Sequence, residues 1–192
     1  LVAILRDDIL LDCNGHKISG RAQMGVFLSE ASNVTIQNCR IEGTTHGLFG
    51  TQIKNASVSG GEMHTEQNGL QFRNSRDVFV QGVVFRSIPE MSDGYAVEMV
   101  ESSSVQVEGC DVHNFSQGIL TYGCDDFTIT KNLLKGLVET GIGTFQTQEM
   151  KGSRQGRIDQ NTILQSMMGM EIHTGSKDLV ISKNRVGYCF LP

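Results

Sequence analysis

A chain of 192 residues with a formal net charge of −5, 39% hydrophobic residues, 22 glycines, two prolines and no tryptophan is sized for one domain. Its charge has the wrong sign for a nucleic-acid scaffold. No apolar run approaches the roughly 18 residues of a membrane-spanning helix.

The opening, Ile9-Leu10-Leu11-Asp12-Cys13, is the first of about eight copies of one short pattern. The pattern is complete in Gly25 to Ile41: Val26 and Leu28, then Val34 and Ile36, then Ile41 are apolar residues alternating with polar ones. Runs this short carry the periodicity of strands, not helices. Asn33-Val34-Thr35-Ile36 returns as Asn55-Ala56-Ser57-Val58 and as Asp77-Val78-Phe79-Val80, both at steps of 22 residues. It returns again as Ser104-Val105-Gln106-Val107, Asp126-Phe127-Thr128-Ile129, Gln155-Gly156-Arg157-Ile158 and Asp178-Leu179-Val180-Ile181, so the period is 22 with two insertions. Leu11-Asp12-Cys13 fits the frame 23 residues before Val34-Thr35-Ile36, which places Cys13 in the column of Ile36.

Each column holds one kind of residue. The column of Ile41 reads Ile18, Ile41, Met63, Phe85, Val112, Leu134, Ile163 and Val186. Gly25, Gly47, Gly69, Gly118, Gly141 and Gly169 recur before the first strand, interrupted by Ala96, where the backbone needs φ above zero or close approach. One coil alone buries nothing, so the coils must stack in register, each strand pairing in parallel with its copies above and below. The expected fold is an all-β parallel β-helix of about eight coils over 1–192, roughly 38 Å long at the inter-strand spacing. Because neither end carries a polar cap, it is expected to be a piece of a longer chain. Asn132, Asn161 and Asn184 share a column with Cys39 and Cys110 and are read as a structural hydrogen-bonding ladder. In this frame the five cysteines offer no pair in neighbouring coils of one column and are expected to be unpaired, which fits a reducing compartment. The histidines are scattered and Cys-x-x-Cys is missing, so no metal site and no cofactor is expected.

These repeats, with the opening Ile9-Leu10-Leu11-Asp12-Cys13-Asn14-Gly15-His16-Lys17-Ile18, resemble the right-handed parallel β-helix superfamily of pectate lyases, polygalacturonases, alginate epimerases, phage tailspikes and NosD-like periplasmic proteins. The resemblance implies a right-handed, single-stranded coil. It also implies a polysaccharide-engaging domain, as a lyase, hydrolase or epimerase on an acidic glycan or as a phage depolymerase, homotrimeric if from a virion. An extracellular, cell-surface or virion setting follows, although fold does not dictate activity. The rival reading is a non-catalytic structural or carbohydrate-binding module of a surface, periplasmic or virion protein. The family's catalytic signatures do not carry over: of the polygalacturonase motifs only Asp125-Asp126 is present, at a turn where Asp or Asn recurs, and the epimerase and pectate lyase patterns are missing. A copper role would want clustered Met and His, whereas Met91, Met99, Met150, Met167, Met168 and Met170 read mostly as core or loop residues.

In a regular array the irregular places are informative. Arg86 to Tyr95 is a lengthened connection before a first strand, and Phe145 to Gln155 one that follows a first strand. Both are expected to wall a groove on the first-strand face, since long loops on rigid scaffolds carry binding residues. Its floor would be two outward columns, one running Phe27, Phe49, Gln71, Glu98, Leu120, Gly143, Glu171 and the other Ser29, Thr51, Arg73, Val100, Tyr122, Phe145, His173. Tyr122, Glu171 and His173 are the candidate catalytic residues, His or Tyr as base and Glu as acid or neutralising partner. Arg73, Asp93, Tyr95, Glu98 and Phe145 are the candidate substrate contacts. The plain alternative is a row of solvated side chains. Glu98 and Glu171 lie three coils apart, roughly 14 Å, beyond the range in which two carboxyls cooperate on a glycosidic bond. A second stripe, His64, Arg86, His113 and Lys135, places one basic or titratable group per coil after the third strand, as a track for a polyanion or an ordinary solvated face.

Overall fold

The computed structural model describes residues 1–88, 92–149 and 151–189, which are strands joined by turns, bends and irregular segments. Among them the chain forms a parallel β-solenoid of about eight turns, because each alternating segment finds its next copy one turn along. The second strands make an eight-stranded sheet, Ile9–Asp12, Ser32–Gln37, Lys54–Ser59, Arg76–Gln81, Ser103–Glu108, Asp125–Thr130, Arg154–Asp159 and Val180–Ser182 in spatial order. First and third strands form a second, larger sheet, continuous where Arg40–Thr51 and Glu62–Arg73 run through the corner without a break. No helix among the described residues is long and apolar enough to cross a membrane.

The columns pair as the repeat predicts. Ile41 faces Met63, Met63 faces Phe85, and the series continues through Val112, Leu134 and Ile163 to Val186. Val107 and Ile129 are cross-strand partners and fully buried. Volume is balanced between coils: a Cβ on Gly156 would collide with the Phe127 ring of the coil before it, and one on Gly50 with Phe72 of the coil after it.

Close approach, not turn conformation, explains the recurring glycines. None of Gly25, Gly47, Gly69, Gly118, Gly141 and Gly169 has positive φ; a Cβ on Gly47 would meet the Gly69 carbonyl, and one on Gly118 the Gly141 carbonyl. At the start of the second strands the left-handed positions are instead Asn33, Asn55, Asp77, Ser104, Asp126, Gln155 and Asp178, with φ between 51° and 57°. Asn and Asp tolerate that region better than most residues, which accounts for Asp126 structurally.

Two ladders fix the corners. Asn132 Oδ1 accepts the Cys110 N–H at 2.8 Å, Asn161 Oδ1 accepts that of Asn132 at 3.0 Å, and Asn184 Oδ1 that of Asn161 at 2.9 Å. Each Asn amide then donates to a carbonyl further back, of Val107, Ile129 or Ile158. The asparagines are therefore the expected ladder. A second ladder runs at the corner after the first strands, where Ser75 Oγ accepts the Ile53 N–H, Ser102 Oγ that of Ser75, and Ser153 Oγ that of Cys124.

The first coil departs from the expected frame. Ile9 pairs with Val34 and Leu11 with Ile36, a step of 25 residues, so Cys13 lies beyond the strand and outside the Ile36 column. It reaches Cys39 in the next coil, with Cα atoms 4.7 Å apart, and the two form a disulfide. The expectation of five unpaired cysteines is corrected accordingly: Cys110, Cys124 and Cys189 are free, the first two buried. The two extra residues of the first coil hid the pairing, because the expected 23-residue step placed Cys13 two residues too early, inside the second strand and not at the corner after it. A disulfide also removes the argument for a reducing compartment.

Replacing Ile129 or Val107 by Asp would bury a charge with no partner, at a cost on the order of 3–5 kcal/mol. The expected outcome is a melting temperature lower by about 10 °C or more, followed by circular dichroism. Thiol titration in denaturant should count three free thiols without reductant and all five cysteines after reduction.

Candidate functional site

Outward side chains of the first strands stand in columns because successive residues of a strand point to opposite faces. Phe27 pairs with Phe49, Phe49 with Gln71, Gln71 with Glu98, Glu98 with Leu120, Leu120 with Gly143, and Gly143 with Glu171. Beside them run Ser29, Thr51, Arg73, Val100, Tyr122 and Phe145, and the His173 ring lies over that of Phe145. The serine ladder braces this floor. Ser75 and Ser102 donate to the carbonyls of Arg73 and Val100, and Cys124 Sγ approaches that of Tyr122.

A groove of about 520 Å³ opens over the floor, lined by Arg73, Glu98, Val100, Glu101, Tyr122 and the segment Gln146, Thr147, Gln148 and Glu149. The lengthened connection after Phe145 therefore supplies a wall, closed on itself where the Thr147 N–H donates to the Lys151 carbonyl at 2.9 Å. In the other lengthened connection Pro89, Glu90 and Met91 lie outside the described residues, as does Met150 in the first. Its described end, Ser92 to Tyr95, already runs as strand.

Of the residues expected at the site, Arg73, Glu98 and Tyr122 come together in the groove. Phe145 extends them along the axis: its ring centroid is 5.0 Å from that of Tyr122, nearly parallel, and 4.5 Å from the His173 ring. The ring leans over Gly143, where a Cβ would collide with it. His173 Nε2 lies 2.6 Å from Glu171 Oε1, and Thr140 Oγ1 donates to Glu171 Oε2 at 2.8 Å. Tyr95 is within electrostatic reach of Glu98, Arg73 and Tyr122, whereas Asp93 is exposed and is not among the groove's lining residues.

Environment separates the ionisable groups. Glu98 is 9% exposed, and burial raises its carboxyl above the ordinary range against the opposing Gln71 amide, Arg73 guanidinium and Tyr95 hydroxyl. Gln71 Nε2 donates to Glu98 Oε2, and Arg73 Nη2 is 4.0 Å from the same oxygen. Burial also pushes the Tyr122 phenol up to about 12, helped by the charges of Glu98, Glu171 and Glu139. Glu171 goes the other way: burial would raise it, but His173 and Thr140 together outweigh that and hold it below the usual value. At neutral pH Tyr122 is thus a neutral hydroxyl and Glu171 an anion, which disfavours Tyr122 as a base and Glu171 as an acid.

The second stripe stacks as expected, Arg86 between His64 and His113, and His113 beside Lys135. Each of its histidines lies beside an acidic neighbour on its own strand, without hydrogen-bond geometry at Nε2. His64 Nε2 is 3.2 Å from Glu62, and His113 Nε2 is 2.7 Å from Asp111. The stripe is a partly compensated face, not a row of free cations.

The sequence expectation missed Glu101 and, although it set Gln71 beside Glu98, the hydrogen bond between them. Glu101 falls past the strand, with φ of 49°, where alternation no longer tells which way a side chain points.

The family model described as "Right handed beta helix region" matches residues 6–149 and 89–186. No curated protein matches the sequence. Among solved structures, a point mutant of the periplasmic alginate epimerase AlgG is similar, with a TM-score of 0.69 and 10% identity over 94% of this chain, which spans 46% of the epimerase. A putative glycosyl hydrolase from Parabacteroides merdae has a TM-score of 0.54 and 11% identity, covering 77% of this chain and 82% of that one. The endo-xylogalacturonan hydrolase of Aspergillus tubingensis has a TM-score of 0.51 and 10% identity, covering 93% and 77%. Identities this low establish a shared fold and no shared site.

Proposed function

The chain belongs to the right-handed β-helix family, and on that premise we propose that it engages a polysaccharide along its first-strand face, over the Tyr122, Phe145 and His173 rings and into the groove beside Arg73. The observation that carries this reading is the ring stack. Tyr122 and Phe145 are stacked with centroids 5.0 Å apart, the His173 ring follows at 4.5 Å, tilted by 57°, and the row leads to an open groove of about 520 Å³. Coils rise by about 4.8 Å, close to the length of one sugar in an extended glycan. A pyranose lies along the outward edges of these rings, while its hydroxyls find Arg73, Gln146, Gln148 and Glu101 at the rim. Such a mixture of apolar platform and few convergent polar groups is the usual make-up of a ligand site.

Proteins of this fold named for alginate epimerisation and xylogalacturonan hydrolysis act on polysaccharides, which supports the class of ligand. The charge of the groove refines it. Glu101 and Glu149 share the groove with the single guanidinium of Arg73, Glu98 being buried beneath them, a field that repels a polyuronate and accepts a neutral glycan. We therefore move from the acidic glycan expected from sequence to a neutral one. The Cys13–Cys39 disulfide suits an extracellular, periplasmic or surface setting.

Phe145 to Ala should weaken binding of the preferred glycan about five- to tenfold, the worth of one aromatic contact, with little change in melting temperature. Affinity electrophoresis in gels cast with neutral and acidic polysaccharides measures this directly. Unchanged mobility of the variant in every gel that retards the wild type would remove the ring stack from the site.

A further inference from the structure

Beyond binding, we propose that the groove hydrolyses a glycosidic bond, with Glu98 as the general acid and Glu101 as the general base; this rests on the reading of the groove as a glycan site. Both carboxyls line the same cavity from one strand end, together with Arg73 and Tyr122. They are three residues apart, about 10 Å along extended chain, and their settings differ. Glu98 is on the floor, 9% exposed, fixed by the Gln71 amide and 4.0 Å from Arg73. Glu101 is at the rim, exposed to solvent, where the chain turns through φ of 49°.

A buried carboxyl is easier to hold protonated, and one at the rim has water at hand. Burial does raise Glu98. Glu98 would give its proton to the glycosidic oxygen as the bond from that oxygen to the anomeric carbon breaks. Glu101 would take a proton from a water whose oxygen forms the new bond to the anomeric carbon. The products are an alcohol and a hemiacetal of inverted configuration, for which the carboxyls must stand about 6.5–9.5 Å apart with water between them. The proton on Glu101 then passes to solvent, and Glu98 regains one from it.

Glu171 does not compete for the acid's role. Its oxygens are engaged by His173 and Thr140, and it stands three coils from Glu98, roughly 14 Å. Elimination from a uronate is disfavoured by Glu101 and Glu149, which also disfavour binding one. Tyr95 and Gln71 are positioning residues, since they act on substrate only through Glu98.

Wild type, Glu98→Gln and Glu101→Gln are incubated with xylan, mixed-linkage β-glucan, arabinan, levan, alginate and polygalacturonate, and assayed for binding, new reducing ends and unsaturated-uronate absorbance. The expected result is new reducing ends without unsaturated uronate, of inverted anomeric configuration by proton NMR, from a neutral glycan that the wild type binds. Both variants should still bind that glycan, Glu101→Gln more weakly because Glu101 also meets a sugar hydroxyl, and release reducing ends at least about 100-fold more slowly. On a dinitrophenyl glycoside of the same sugar, whose leaving group needs no proton, Glu98→Gln should recover most of its rate and Glu101→Gln should not. Binding without reducing ends, full activity of Glu98→Gln, or unsaturated product overturns the proposal and leaves the glycan-binding groove standing. If the wild type binds none of the six glycans, the groove reading falls and hydrolysis falls with it.

Discussion

Parallel pairing in register, coil on coil, is the constraint from which everything else in this molecule follows. Each coil has too little apolar surface to fold alone, so its strands are stable only against the coils before and after it. That requirement reaches the backbone at the corners, where a turn would otherwise leave N–H groups without partners inside the stack. Asn132, Asn161 and Asn184 meet it on one edge and Ser75, Ser102 and Ser153 on another. It also sets the glycine column, because two backbones meeting at the coil spacing leave no room for a Cβ.

The same stacking makes a surface from which chemistry can be built. Copies of one strand position stand about 4.8 Å apart along a straight line, so a ring on each of three coils becomes a continuous platform without any special loop. The serine ladder adds rigidity where it matters, since the carbonyls that Ser75 and Ser102 engage belong to Arg73 and Val100 in the groove. A site whose floor is held by core hydrogen bonds loses little entropy when a ligand binds. Irregularity is then confined to the wall, Gln146 to Glu149.

Burial, more than proximity to charge, divides the labour among the carboxyls. Glu98 has a guanidinium and two hydrogen-bonding partners, each of which favours the anion, and its carboxyl is still raised because desolvation exceeds them. Glu171 is less buried, and two partners suffice to lower it. Position within the column decides which case applies: Glu98 is flanked by Gln71 and Leu120 on neighbouring coils, while Glu171 follows Gly143 and lies near the last coils.

The sequence by itself determined the architecture and the floor of the groove. A period of 22 residues with apolar alternation leaves one way to stack, and the pairings of Tyr122 with Phe145 and of Gln71 with Glu98 follow from counting alone. Counting fails wherever residues are inserted or strands end. The two extra residues of the first coil concealed the Cys13–Cys39 disulfide, and the turn at Glu101 concealed a carboxyl in the groove. Tertiary structure also decided the direction in which Glu98, Glu171 and Tyr122 are shifted, because desolvation and hydrogen bonding depend on how deeply each group is packed, and a repeat pattern gives the order of neighbours without their depth.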